Sequence, residues 1–442
     1  FFKQKTAYDR DVTGVQRVLF RSVLFARAAD SGFESGTAKV DITPESGMAQ
    51  PITDMAQPLT PHDRLFARVL VLKDGKTSIA IVATDSLVFA SPVVAEEAKR
   101  RFGVQHVLQS STHTHAGTVP RGLLIGGPDK KPDWTRGSKA PDALLDWRGL
   151  SSDPWYAKTE QQIIAAIGDA MQHTFPARLA GGRGTFESVY MAHNRRLVTE
   201  KGVTMLWENP NRIPTQPLDP TVGVMRIEDM SGKVRAFAVQ YACHPVATMG
   251  AGFVSRDYPG AMVDAVEREL GPQCLGMFMQ GASGDLDPCD LHNLRSRNRD
   301  NIPKQAGNAL AKRALEISHG ITVSVKAPTL DVKESLLEIP NRTGGTTTPV
   351  NLLTLRIADQ IAFAAIPGEP FIQHQLDLRA KCAALPNVLI LGLAYSGRGS
   401  PFVVYIPTAQ AVKEGGYGAT ECSFVAPDAG ARMVEELAKL LR

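Results

Sequence analysis

Gln109-Ser110-Ser111-Thr112-His113-Thr114-His115-Ala116-Gly117 directly follows the apolar run His106-Val107-Leu108, and the rest of the chain is read from this stretch. On a continuing strand, side chains two residues apart share a face, so His113 and His115 would project together. Gly117 then suits a loop opening onto a pocket. Neutral imidazole nitrogens ligate zinc, and hydrolytic zinc sites combine about three protein ligands with an open position. A lone H-x-H pair is equally compatible with two ordinary hydrogen-bonded histidines, so partners elsewhere in the chain must distinguish the two.

The neighbouring segments alternate strand and helix. Thr37 to Pro44 reads as a short strand, and Leu65 to Leu72 with Ser78 to Ala83 as a hairpin turning at Lys73-Asp74-Gly75-Lys76. Ser91 to Arg101 carries a helical apolar pattern, with Ser91 as cap, Pro92 in the first turn and Gly103 as stop. This order places the histidine pair at the carboxyl end of a strand, where α/β folds gather their chemistry. Further along, helices are expected at Ala157 to His173, Asp257 to Leu270, Asn301 to Ile317 and Asp428 to Leu441. Strands are expected at Val234 to Ala242, Leu275 to Gln280, Ile321 to Leu337 and Asn387 to Ala394, and a pair over Asn351 to Ala365 turning at Ala358-Asp359-Gln360. The implied fold is a single α/β domain, with mixed central sheets and helices outside. No internal repeat is visible in the residues.

The chain has 442 residues, enough for a sizeable core, and 49 basic against 45 acidic residues give a net charge of +4. Residues 1–22 alone carry +3, so the remainder is nearly neutral and shows no electrostatic footprint for nucleic acid. That head has no helical or strand period, and its ending Leu19-Phe20-Arg21-Ser22 looks like translated sequencing adapter; it is set aside as non-native. Residues 23–35 include Val23-Leu24-Phe25-Ala26-Arg27-Ala28-Ala29, either a linker or the tail of an export signal with an A-x-A cleavage pattern, which would place the protein outside the cytoplasm, secreted or periplasmic. No run of about 18 apolar residues suggests a transmembrane segment. The five cysteines lack C-x-x-C spacing and argue against a zinc ribbon. Gly126 to Pro154 is polar and loop-like yet holds Trp134 and Trp147, with Trp155 just beyond, a composition that fits a lid or substrate-facing wall.

Four polar residues of ligand type stand just past apolar strands: His113 with His115, then His244, Glu369 and Tyr405. Together they resemble the neutral, non-lysosomal ceramidase family over residues 36–442, which would be its catalytic domain; the match stops short of that family's extra C-terminal β-domain. The resemblance rests on Thr112 to Gly117, on His244 with the downstream Asp257-Tyr258-Pro259-Gly260, and on Asn194-Arg195. It continues through Pro367-Gly368-Glu369, where Pro370 intervenes before Phe371, and through Tyr405-Ile406-Pro407-Thr408 with Tyr417 beyond.

The resemblance implies one zinc ion held by His113, His244, Glu369 and Tyr405. It implies His115 facing the scissile group of a lipid or small-molecule amide, with His115, Tyr417 and Arg195 stabilising the developing oxyanion. One departure stands out: the family's G-D-x-S-P turn reads Gly284-Asp285-Leu286-Asp287-Pro288, with Asp287 where the family has serine. Asp287 is then a general base, an orienter of the leaving amine, or a structural turn carboxylate. Three other readings compete. Ser283 is not in a G-x-S-x-G elbow, and Cys243 adjoins His244 in sequence only. A non-catalytic lipid- or carbohydrate-binding module does not require two histidines, a glutamate and a tyrosine to converge.

Overall fold

One order of elements occurs three times. Three antiparallel strands are followed by a crossover helix, a fourth strand parallel to the third, and a second helix. The first repeat comprises Glu34–Asp41, Phe66–Lys73, Ser78–Thr84, helix Pro92–Phe102, His106–Ser111 and helix Pro154–Gln172. The second comprises Phe175–Thr185, Thr221–Asp229, Val234–Tyr241, helix Asp257–Leu270, Leu275–Gln280 and helix Asn301–Gly320. The third comprises Leu330–Pro340, Thr347–Ile357, Ile361–Ala365, helix Ile372–Lys381, Val388–Leu391 and helix Ala429–Leu441. The structure, a computed structural model, describes residues 32–45, 60–119, 147–188, 190–289, 301–343 and 345–442. The head at 1–22 and most of the tryptophan-bearing insertion, Trp134 included, lie outside the described residues.

The first two repeats join where Glu34 and Ser35 pair with Pro176 and Phe175, and Ala394–Ser396 adds an edge strand, giving a nine-stranded mixed sheet. The third repeat is a separate four-stranded sheet stacked on it. The central strands, such as Ser78–Thr84, Leu275–Gln280 and Ile361–Ala365, are buried on both faces, which is why they read as near-continuous apolar runs. Leu70, Leu72, Ile79 and Ile81 of the large sheet share one buried cluster with Leu353, Leu355, Phe363 and Leu389 of the small sheet. The alternate residues Val69, Val71 and Val82 turn the other way, onto Ile163, Ile164 and Ile167. Helix Ala429–Leu441 covers the outer face of the small sheet through Met433, Val434 and Leu437. The result is a four-layer α/β/β/α arrangement, the mixed α/β class expected from the sequence. Glycine permits the closest approach between layers: a Cβ on Gly36 would lie 1.9 Å from the Ala170 carbonyl oxygen.

Helix Pro92–Phe102 has the expected ends: the Ser91 side chain accepts from the Val94 N–H, and Gly103 closes the helix in the left-handed conformation. The fold starts earlier than Gly36, since Phe33 is fully buried and Glu34 pairs with Lys73. Three other expectations differ from the structure. Residues 321–329 are not strand; Val325 makes only an isolated bridge to Leu179. The segment read as one strand from Asn387 to Ala394 changes sheets at Gly392-Leu393, where Leu393 has φ +51°. Trp147 and Trp155 are core rather than lid: both are 3 % exposed, and their indole N–H groups donate to the carbonyls of Ser400 at 2.6 Å and Ile42 at 2.8 Å. A buried indole requires such a partner.

Candidate metal centre

The strand His106–Ser111 stops before its histidines. Thr112 N–H donates to Thr84 O at 2.9 Å and His113 N–H to Ser86 O at 3.0 Å, and His113 then takes φ +68°. A left-handed non-glycine residue is uncommon and costs on the order of 1 kcal/mol or more. The His113–His115 convergence therefore comes from a turn, not from strand alternation. His115 N–H is tied across to Pro245 O at 3.1 Å, in the loop that follows His244.

His244 follows strand Val234–Tyr241; both its backbone N–H and its Nδ1 face Leu286 O, each at 3.0 Å. Glu369 and Tyr405 sit opposite each other in a two-residue parallel pairing, so one register places both side chains. Exposure is 2 % for His113, 0 % for His244, and 4 % for Glu369 and for Tyr405.

Their donor atoms converge. His113 Nε2 lies 3.3 Å from Glu369 Oε2, His244 Nε2 lies 3.1 Å from the same oxygen, and His115 Nε2 lies 3.3 Å from His113 Nε2. One ligand atom from each of His113, His115 and His244 falls within 4.8 Å of the others, so a three-histidine metal site is also possible. The backbone fixes the tautomers, because His113 Nδ1 faces Leu87 O at 2.9 Å and His244 Nδ1 faces Leu286 O, and each must therefore carry its proton on Nδ1. Two Nε2 lone pairs and a carboxylate oxygen then face one another, an arrangement that a cation satisfies. Zinc with N/O bonds of about 2.0–2.1 Å in tetrahedral geometry needs donor atoms roughly 3.3 Å apart, and the spacings here meet that requirement.

Burial pushes the Glu369 carboxyl upward, but positive charge and donated protons at the adjacent imidazoles of His113 and His244 outweigh it and hold the group well below the usual range, an effect that a bound cation would supply in their place. For His115, burial and the neighbouring imidazoles act together and push it well below its ordinary value, which leaves it neutral. Its Nδ1 is buried and meets no partner among the described residues.

Arg195 is the adjacent fixed charge. Its Nη1 donates to Asp287 Oδ1 at 3.2 Å and its Nη2 to Gly284 O at 2.7 Å, and its guanidinium carbon lies 5.2 to 5.6 Å from the ring centres of Tyr417, Tyr405 and Trp207. Burial opposes that charge, and the Asp287 carboxylate against it favours it. Burial also raises Tyr405 and Tyr417, keeping both phenols protonated unless a cation binds. Asp287 Oδ1 lies 3.7 Å from His244 Nδ1, so Asp287 stands behind a candidate ligand as well as against Arg195.

All eight residues singled out in the sequence fall in this neighbourhood. Trp207 was missed; the only signal for it was that it is the one tryptophan far from the insertion. Ser283 is buried beside this region, and burial with nearby acidic groups pushes the Cys243 thiol upward, away from the reactive thiolate.

A four-layer α/β/β/α fold with a histidine–carboxylate centre at its strand ends is the architecture that the sequence and structure define. No protein-family model matches the chain, and no curated protein matches it. Among solved structures, neutral ceramidase from Pseudomonas aeruginosa superposes with a TM-score of 0.71 at 15 % identity, over 93 % of this chain and 74 % of that one. A ceramidase complexed with C2 gives a TM-score of 0.70 at 16 % identity, over 92 % and 74 % of the two chains. The fold is neutral-ceramidase-like.

Proposed function

We propose that this chain is a zinc-dependent hydrolase cleaving the amide bond of an N-acyl lipid, with His113, His244, Glu369 and Tyr405 holding the metal. The observation that carries the reading is the meeting of two backbone-pinned Nε2 lone pairs and one carboxylate oxygen at 3.1 to 3.3 Å. The ceramidase-like fold supports the substrate class. The compact unit Ser31–Arg442 supports reading residues 36–442 as one catalytic domain.

Zinc, when bound, polarises a carbonyl and lowers the pKa of water from about 15.7 towards 7. The remaining work belongs to the chain. Neutral His115 accepts a proton from the water that adds to the carbonyl carbon and delivers it to the amine nitrogen as the C–N bond breaks. Arg195 and protonated Tyr417 donate to the carbonyl oxygen as it gains charge, a role worth a few kcal/mol per preorganised donor. Asp287 balances and aims Arg195. Burial of the cluster excludes water from these contacts.

Asp287 at the family's serine position favours one second reading: a zinc-dependent amidase or esterase acting on a non-sphingolipid substrate. The test is a panel of N-acyl amides and esters, ceramide included, assayed with and without chelator beside metal analysis. Stoichiometric zinc and chelator-sensitive amide cleavage are expected. Cleavage of other amides but not ceramide selects the second reading, and a folded, metal-free chain inactive on all of them removes both.

A further inference from the structure

Trp207 is half-exposed, at 50 %, while the backbone on either side of it is tied down. Leu206 N–H donates to Arg195 O at 2.7 Å, and His193 Nε2 faces Leu206 O at 2.9 Å. Two residues further on, Asn209 N–H donates to Cys289 O at 2.9 Å, and the Asn209 side chain brackets Ile213 N and O, both at 2.8 Å. The loop carrying Trp207 is thus tied to the strand Ala192–Asn194 and to the end of its partner strand Leu286–Pro288. One side of the indole lies against the site: its ring centre is 5.3 Å from that of Tyr417 at an interplanar angle of 67°, and 5.6 Å from the Arg195 guanidinium carbon.

A large, half-exposed apolar surface beside the two proposed oxyanion donors is suited to a ligand rather than to packing. We infer that Trp207 is a substrate-contacting specificity residue that takes the apolar chain next to the scissile carbonyl, a role that rests on the amidase reading above. Arg195 and Tyr417 address the carbonyl oxygen; Trp207, on their outer side, is placed to receive the chain that continues from it. The enzyme would then discriminate acyl length through KM and kcat/KM at this ring.

The experiment compares zinc-loaded wild type, Trp207→Ala and Trp207→Phe on two amides that share an amine and differ only in a two-carbon or a long acyl chain. Trp207→Ala is expected to reduce the long-over-short preference in kcat/KM roughly tenfold, carried by KM, and Trp207→Phe to recover most of it. An unchanged preference in Trp207→Ala, with wild type active on both amides, overturns the assignment and leaves the amidase reading intact. A second measurement does not depend on turnover. Titrating a long-chain fatty acid should change the tryptophan fluorescence of wild type and not of Trp207→Phe. If wild type hydrolyses neither amide, the amidase reading fails, while a Trp207-dependent signal still supports a chain-binding surface. No such signal overturns that surface too.

Discussion

The first and second repeats solve one problem in opposite directions. In the first, the candidate ligand His113 comes from the loop after the fourth strand, and the carbonyl that pins its Nδ1, Leu87 O, comes from the loop after the third. In the second, the candidate ligand His244 comes from the loop after the third strand, and the pinning carbonyl, Leu286 O, lies beyond the fourth. The third and fourth strands are parallel neighbours in both repeats, so their trailing loops always meet. What is common to the repeats is the pair of loops, and either member can carry the imidazole. The third repeat sends Glu369 from its third-strand loop.

The comparison is broken most directly at its ligands. His113→Ala and His244→Ala, although they stand in different loops, should both strip the metal and reduce turnover to background, read by metal analysis beside rate. His115→Ala should keep near-stoichiometric zinc while losing roughly 10²- to 10⁴-fold in kcat. A metal-free His115→Ala would move the site to the three-histidine alternative.

The loop ends that hold no ligand should behave differently. In the first repeat the third-strand end carries Asp85, whose Oδ2 accepts from Arg68 Nη1 at 2.8 Å and from Phe66 N–H at 3.0 Å, with both ionic side chains almost fully buried. Removing Asp85 leaves the buried Arg68 charge with only Glu267, 3.8 Å from its Nε, so Asp85→Ala should cost about 3 kcal/mol in denaturant unfolding. Zinc content per folded molecule should be unchanged. Loss of metal from the folded fraction would show that Asp85 belongs to the centre.

The corresponding carboxyl past the fourth strand of the second repeat gives the smallest effect. Burial pushes Asp285 up to about 6, although Ile372 N–H and the Asn194 amide, at 2.8 and 2.7 Å, pull it back. The native carboxyl binds its proton more tightly than the unfolded chain does. Its contribution to stability is therefore fully present below about pH 4 and lost as pH rises through about 6, by up to about 3 kcal/mol. Unfolding at pH 4 and pH 7 should show this loss in wild type and a flatter response in Asp285→Asn. Equal slopes would mean that Asp285 stays ionised throughout.

Local signals were the most legible part of the sequence. Helix ends marked by Ser91 and Gly103, and apolar runs buried on two faces, gave the elements and the α/β class. Register and stacking were not written locally, and neither was the threefold order, because it lives in strand direction rather than in residue identity. Among the candidate site residues, types and approximate places could be read, but the cause of their convergence could not. It depends on the left-handed turn at His113 and on carbonyls of Leu87 and Leu286, which any residue would supply. The tryptophans misled for a related reason: composition distinguishes neither Trp147, whose N–H meets a carbonyl in the core, nor Trp207, whose ring is held at the rim.

The stacking of the small sheet also sets a timetable for biosynthesis. Chains emerge from the ribosome at about 5–20 residues per second, and amino-terminal portions begin folding first. When synthesis has reached Gly320, the elements of both large-sheet repeats have been made, but Leu70, Leu72, Ile79 and Ile81 still lack the cover that Leu353, Leu355, Phe363 and Leu389 will supply. Glu369 and Tyr405 arrive with that same late portion. A nascent chain therefore passes through an interval in which this face of the large sheet is bare and its candidate site lacks two of its members, an interval in which chaperones rather than substrates are its natural partners.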